Sequence, residues 1–555
     1  MMETGDKVKK SGTSFAAANI LKLPVSDRKT RIFLMGYALF FALCTRMGQS
    51  FENTASWGYF FASFRDFLVS AALTAVYALV YYYVLGYILY FADKAAQRTG
   101  GKTAFFERHV FAVLWVGLLI GWAFYLIVDY PAIVHYDSAV MLINYFENNI
   151  NNHHPVVQTL VSGAFVTWVS DLTGSFELSV FLYAAIQYFY GSLIFAALFA
   201  KIYKRGCPLP VLAASYACTV LLPVYSRYAP TICKDVNYSF FIMLYLYFYL
   251  VLDENKQSPT VKTAVALFAA AMLTEAARKN GIHLVALSGF AFVIRFLRYK
   301  KAAVLVLLST LAAIVGFLWL DHALTVRMGL LDHDVRESAS LFFQQTARYA
   351  RDCGDDITDG EKAVISRVLV YDTLAEEYDP ERSDPVKDNY IDGASREEIA
   401  DYMKVWAKCF ARHPGCYIQA TLNNIYGYFY PPNDGRYANE IFPQNDVFAF
   451  NVPGRLKDLA DDLRELDLKI KHIPLLGLFF GAGIYIWAEL FIAGLCLLRK
   501  KYGAFFFNVP ALVSVLICIA GPVNNYTRYA LPVIFIVPFA LCLYFTDGGA
   551  LKDSP

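Results

Sequence analysis

Charge is what this chain has least of. Asp, Glu, Lys and Arg make up 17% of its 555 residues, where a soluble domain carries about a quarter. Hydrophobic residues reach 57%, in runs such as FLMGYALFFALC and FFIMLYLYFYLVL that suit membrane spans of about 20 residues. A net charge of +2 lacks the basic excess that nucleic-acid partners select, which argues against that class. The ten Cys show no CxxC pair and no metal-ligand spacing, so their default role is that of small buried hydrophobes. Cys353, Cys409 and Cys416 do share one hydrophilic region. There is no repeat of fixed period. The first 31 residues lack the apolar core and cleavage site of a signal peptide and read as a cytosolic tail.

A second absence is local. Between Arg108 and Lys201 there is no Lys or Arg, yet the stretch 129–177 keeps Asp129, Asp137, Glu147, Asp171 and Glu177 together with His135, His153 and His154. Positive charge in short loops marks the cytosolic side. The cations of the N-terminal tail, of 92–108, of KIYKRG (201–206), of RFLRYKK (295–301) and of RKK (499–501) therefore face the cytosol. The connections 129–177, 227–235, 276–280, 326–473 and 522–528 then face outward. This explains the missing cations of 129–177 and leaves its carboxylates unexplained.

The apolar pattern predicts an all-α polytopic membrane protein with twelve spans, near 32–51, 67–91, 110–128, 178–200, 208–226, 236–252, 262–275, 281–296, 302–325, 474–497, 504–521 and 529–545. The segment 155–172 is long enough to cross, but counting it would turn RFLRYKK and RKK outward, so it is read as a helix along the outer interface. Region 326–473 is soluble in composition, with GDDITDGEK and YDPERSDPVKD. It carries a helical run at 456–472, and its aromatic stretch 423–437 is expected to be a loop packed against the membrane part.

Ionisable residues recur at the outward ends of the spans: Lys234 and Asp235, then Glu275, Arg278 and Lys279, then Arg528. Charge in hydrocarbon costs on the order of 2.5–3.5 kcal/mol, so such residues pair or serve a site. Lys234, Arg278, Lys279 and Arg528 suit a phosphate or diphosphate at the membrane surface. Asp137 has no cation near it in sequence and is expected to stay free as a general base or hard metal ligand. Asp137 and Asp235 together are candidate ligands for a divalent cation, Mg or Mn. The adjacent His153 and His154 point to different faces of a helix and are poor joint metal ligands; His154 before Pro155 marks the entry of the interfacial helix, near the site.

The order of spans, Tyr136-Asp137-Ser138 in the first outer loop, His154-Pro155 opening a helix, Lys234-Asp235 before a span, Arg278-Lys279-Asn280-Gly281 and Arg528-Tyr529 with Pro532 resemble GT-C membrane glycosyltransferases. Bacterial protein-mannosyltransferase-like and aminoarabinose-transferase-like members are similar in layout. The resemblance covers roughly 110–545. It implies a polyprenyl-phosphate sugar donor, an extracytoplasmic active site in a multi-pass bacterial cytoplasmic membrane protein, Asp137 as catalytic aspartate, and the cations as donor-phosphate ligands. The acceptor would be a glycan, lipid or protein. The chain departs from many relatives in lacking a second acidic residue beside Asp137, the next being Glu147, so Asp235 is the candidate second catalytic carboxylate. The expected organisation is a cytosolic tail (1–31), two additional helices (32–108), a GT-C-like core with first outer loop 129–177 (109–325), an extracytoplasmic region (326–473), and C-terminal helices with a short cytosolic tail (474–555). A transporter or flippase for a lipid-linked glycan is the alternative, although the matching broken helices such proteins carry in two halves are not visible. A noncatalytic polysaccharide-assembly subunit is a third reading.

Overall fold

A computed structural model describes residues 25, 27–97, 104–330, 334–433, 435–437 and 448–546. Most of the N-terminal tail, Arg98 and Lys102 of the 92–108 loop, and the end of the C-terminal tail lie outside the described residues. Among those described there are helices, turns and isolated bridges, and no strand.

Each predicted span corresponds to a helix. Eight are long and apolar enough to cross a membrane: Arg28–Thr54, Phe64–Ala96, Ala104–Val128, Phe176–Lys204, Lys234–Glu254, Lys300–Met328, Tyr502–Ile519 and Thr527–Phe545. The protein is a multi-pass, all-α membrane protein. The other four, Leu209–Leu221, Val261–Ala277, Gly281–Phe296 and Gly483–Leu498, have 13, 17, 16 and 16 residues. They fall short of about 20 residues because irregular backbone adjoins them, which membranes tolerate where it is buried in protein or lines a cavity. The segment read as interfacial forms a helix, Val156–Thr173, capped by Gly174 in the left-handed conformation, and it is absent from the eight.

Aromatic packing holds the bundle. Trp122 is fully buried and donates Nε1–H to the Thr219 carbonyl at 2.8 Å. Phe195 meets Phe240, Phe535 and Phe539 edge-on. Gly191 lets the Phe240 ring lie against its helix; a Cβ there would enter the ring. Such rings bury 150–250 Å² each, so these few contacts tie helices far apart in sequence.

The 334–473 region has its own core, including Phe343, Val368, Leu369 and Tyr402, and closes one end of the bundle. Its aromatic stretch departs from the expected loop: Pro414–Phe429 is a helix with Tyr426 and Tyr428 buried, so the first half of the stretch is helical. Helix Gly454–Lys471 is clamped to the membrane part through charge. Arg227, 1% exposed, holds Asp129 through two hydrogen bonds of 3.0 Å and Asp467 at 2.5 Å, and Arg464 reaches Asp129 at 3.3 Å. Asp129 is thus one carboxylate of the cation-free stretch with a structural task. In the same region the Cys353 and Cys416 sulfurs lie 2.9 Å apart.

Candidate functional site

Three chain segments meet at the end of the bundle that carries the 334–473 region. The first is an extended strap, 133–135, entering helix Tyr136–Phe146. Its backbone pairs with the segment before Lys234: His135 N–H donates to Ile232 at 3.0 Å and Ile232 N–H to Ile133 at 2.8 Å. The second is the start of helix Lys234–Glu254, whose first amide donates to Ser138 Oγ at 3.2 Å. The third is the 3-10 turn Thr527–Ala530 before the last helix. The two helix N-termini present acidic first turns, Asp137 and Asp235, where the helix dipole favours carboxylates.

Lys234 Nζ and Arg528 Nη1 each stand 2.8 Å from Asp137 Oδ2. The same Arg528 nitrogen is 3.5 Å from Asp235 Oδ2, and Arg278 Nη1 is 2.7 Å from Asp235 Oδ1. Asp235 is fully buried, and the Asp137 side chain is 17% exposed. Around these ions, His154 Nδ1 meets Lys234 Nζ at 3.1 Å and His135 Nδ1 meets Arg528 Nη1 at 3.3 Å. Lys279 Nζ donates to the Asn152 carbonyl. Arg278 stacks on Tyr529 at 4.7 Å and Arg528 on Tyr526 at 4.4 Å, a cation–π arrangement that fixes both guanidinium planes.

The electrostatics follow from this geometry. Burial opposes ionisation of Asp137, but Arg528 and Lys234 outweigh it and hold the carboxyl well below its usual range. His135 is lowered to about 3 by burial and by Arg528, and His154 to about 2 by burial and by Lys234. Both imidazoles are neutral at physiological pH, which leaves a nitrogen lone pair facing each cation.

Above the ions lies a cavity of about 680 Å³ lined by Asp137, Lys234, Arg278, Lys279, His153 and Arg528, with further residues from the 334–473 region. The structure therefore brings together the residues singled out in the sequence, with two differences. Asp137 is doubly paired, where it was expected to be free, because the strap pairing and the last helix carry Lys234 and Arg528 to it. Asp235 lies beneath the cavity and not on its wall. His153 faces Glu337 at 3.8 Å, while His154 touches Lys234.

The expected divalent-cation site does not fit this donor set. Arg528 occupies the space between Asp137 and Asp235, each carboxylate already holds two cations, and no group of three His, Cys, Asp or Glu side chains suited to a metal occurs among the described residues. Sequence reasoning assigned no role to His135, although it stands two residues before Asp137. It also missed Arg382 and Arg436, which line the cavity from loops whose sequence carries no signal of that position.

No curated protein matches the chain. A solved structure of ArnT from Cupriavidus metallidurans bound to undecaprenyl phosphate aligns with 79% of this chain and 78% of that one, at 14% identity and a TM-score of 0.31. Residues 124–550, over three quarters of the sequence, match the model of a family described as a family of unknown function, DUF6020, and the chain belongs to that family.

Proposed function

We propose that this protein is an integral membrane glycosyltransferase of GT-C type, which moves a sugar from a polyprenyl-phosphate donor to an acceptor hydroxyl on the extracytoplasmic side. The observation that carries this reading is the Asp137 carboxylate held by Lys234 and Arg528 at the floor of a polar cavity. The Lys and Arg distribution in the loops supports an outward-facing cavity, and the resemblance of the motifs supports the donor class.

In the resting state Asp137 is a poor base, since its two cations stabilise the charged form. The donor is a phosphodiester with one negative charge. When its phosphate enters, Lys234 and Arg528 turn part of their hydrogen bonding to the phosphate oxygens, with Arg278 beside them. Asp137 becomes more basic at that moment. The acceptor oxygen then forms its bond to the anomeric carbon as the bond from that carbon to the phosphate oxygen breaks. The electron pair of the broken bond stays on the polyprenyl phosphate, where the cations stabilise it, and the hydroxyl proton passes to Asp137. Asp235 keeps Arg278 and Arg528 in place from below and touches no substrate. Lys279 and His153 shape the rim, and the neutral His154 backs Lys234. The acceptor is a glycan, lipid or protein carrying a hydroxyl.

The test is release or transfer of sugar from a panel of radiolabelled polyprenyl-phosphate sugars by purified protein in lipid, with Asp137→Asn alongside. Transfer by the native chain that is lost in the variant is the expected result. A donor that binds and reacts equally in both proteins removes Asp137 from the chemistry; flipping of a labelled lipid with no sugar released establishes the transporter instead.

A further inference from the structure

The cavity carries more positive charge than a single phosphodiester needs. Eight Lys and Arg side chains line it against four carboxylates. Most of the cations are already matched: Lys234 and Arg528 by Asp137, Arg278 by Asp235, Lys387 by Glu337 and Asp384, Arg336 by Asp388. Two are not. Among the described residues, Arg382 meets a carboxylate only at 3.7 Å, from Asp379, and Arg436 only at 3.8 Å, from Glu381. Both distances exceed a hydrogen bond.

These two arginines are nevertheless held in place. Arg382 forms a bridge with Val523; on either side of it, Ser383 N–H donates to Pro522 and Asn524 N–H to Glu381, both at 2.8 Å. Arg436 N–H donates to the Asn525 carbonyl at 3.3 Å. Both backbones are thus fastened to the segment 522–525, which runs directly into Arg528. The same short strap positions an inner cation and two outer ones over one cavity. A guanidinium with unsaturated donors, on a fixed backbone, is pre-organised for bidentate capture of an oxyanion.

We infer that Arg382 and Arg436 form a second anion subsite, which takes a phosphate or carboxylate group of the substrates in addition to the carrier phosphate held below. This rests on the proposed function for the identity of the inner ligand. The second anion has two possible sources: a second phosphate on the carrier lipid, or an acidic group on the acceptor.

The experiment measures binding to the full chain in lipid nanodiscs, for the native protein, Arg382→Gln/Arg436→Gln, and the charge-preserving Arg382→Lys/Arg436→Lys, each with its melting temperature recorded. The probes are undecaprenyl monophosphate, undecaprenyl diphosphate, and inorganic phosphate with and without the monophosphate. Losing charge-assisted hydrogen bonds of this kind corresponds to about tenfold in affinity. A diphosphate preference of about tenfold that disappears in the Gln variant and persists in part in the Lys variant supports the subsite and puts the anion on the carrier. Equal binding of the two lipids, with inorganic phosphate bound about tenfold more weakly by the Gln variant, supports it and puts the anion on the acceptor. If neither the diphosphate preference nor phosphate binding differs between native and Gln proteins of equal melting temperature, the subsite is overturned. Monophosphate binding by the native chain is a separate reading: its failure sinks the proposed donor, while the phosphate titration still decides the subsite.

Discussion

Arg528 donates to Asp137 at 2.8 Å across 391 residues of sequence, and the same nitrogen stands 3.5 Å from Asp235. One guanidinium group thus couples an aspartate at the cavity floor to another fully buried beneath it. The two carboxylates have different tasks, and their variants are expected to differ.

Asp137→Asn removes the proton acceptor and keeps the side-chain shape. Sugar transfer should fall by about 10²–10⁴-fold, while the donor binds at least as well, because Lys234 and Arg528 lose a competing anion. Transfer rates and donor titrations on the same preparation check this; equal loss of both would mean that Asp137 serves binding.

Asp235→Ala leaves Arg278 and Arg528 without their buried counter-charge. Breaking a buried pair from one side costs about 3–5 kcal/mol, so the expected outcome is a lower melting temperature together with lost activity. Asp137→Asn, at a partly exposed position, should melt close to the native protein.

Arg227→Ala should destabilise on the same scale without lining the cavity, since Asp467 would lose its buried cation and Asp129 would keep only Arg464 at 3.3 Å. Limited proteolysis should reveal helix Gly454–Lys471 released early. A native proteolysis pattern in this variant would show that the clamp is dispensable.

Acid should destabilise the site in a defined window. His154 is lowered from 6.5 to about 2 and His135 to about 3, so the folded protein binds fewer protons than the unfolded chain below pH 6.5. Their contribution is complete above that pH and is lost as pH falls toward the folded values. Asp137, also lowered, adds a loss in the same direction below pH 3.8. Melting temperature should decline from about pH 6.5 downward, and His154→Gln should flatten the first part of that decline. The transfer rate should show no step from these histidines near pH 6.5.

Cys353 and Cys416, with sulfurs 2.9 Å apart, should cross-link within the chain under a mild thiol oxidant. Maleimide labelling of the oxidised protein should miss both, and a reductant should restore both. Persistent labelling of the pair under oxidant would count against it.

The membrane architecture was legible in the sequence because it is a local property. A run of apolar side chains must be solvated by lipid or protein wherever it folds, so each predicted span has its helix. The ingredients of the site were legible too, since ionisable residues at span ends are costly enough to stand out. Their partnerships were not. Asp137 has no cation nearby in sequence, yet it is doubly paired because the backbone pairing of 133–135 with Ile232 carries Lys234 to it and the last helix carries Arg528. Arg382 and Arg436 sit in polar stretches like any other exposed arginine, and only the hydrogen bonds of their backbones to 522–525 place them over the cavity. Hydropathy acts residue by residue along the chain. Charge pairing acts through space, over a few ångströms, between segments whose separation in sequence says nothing about their distance.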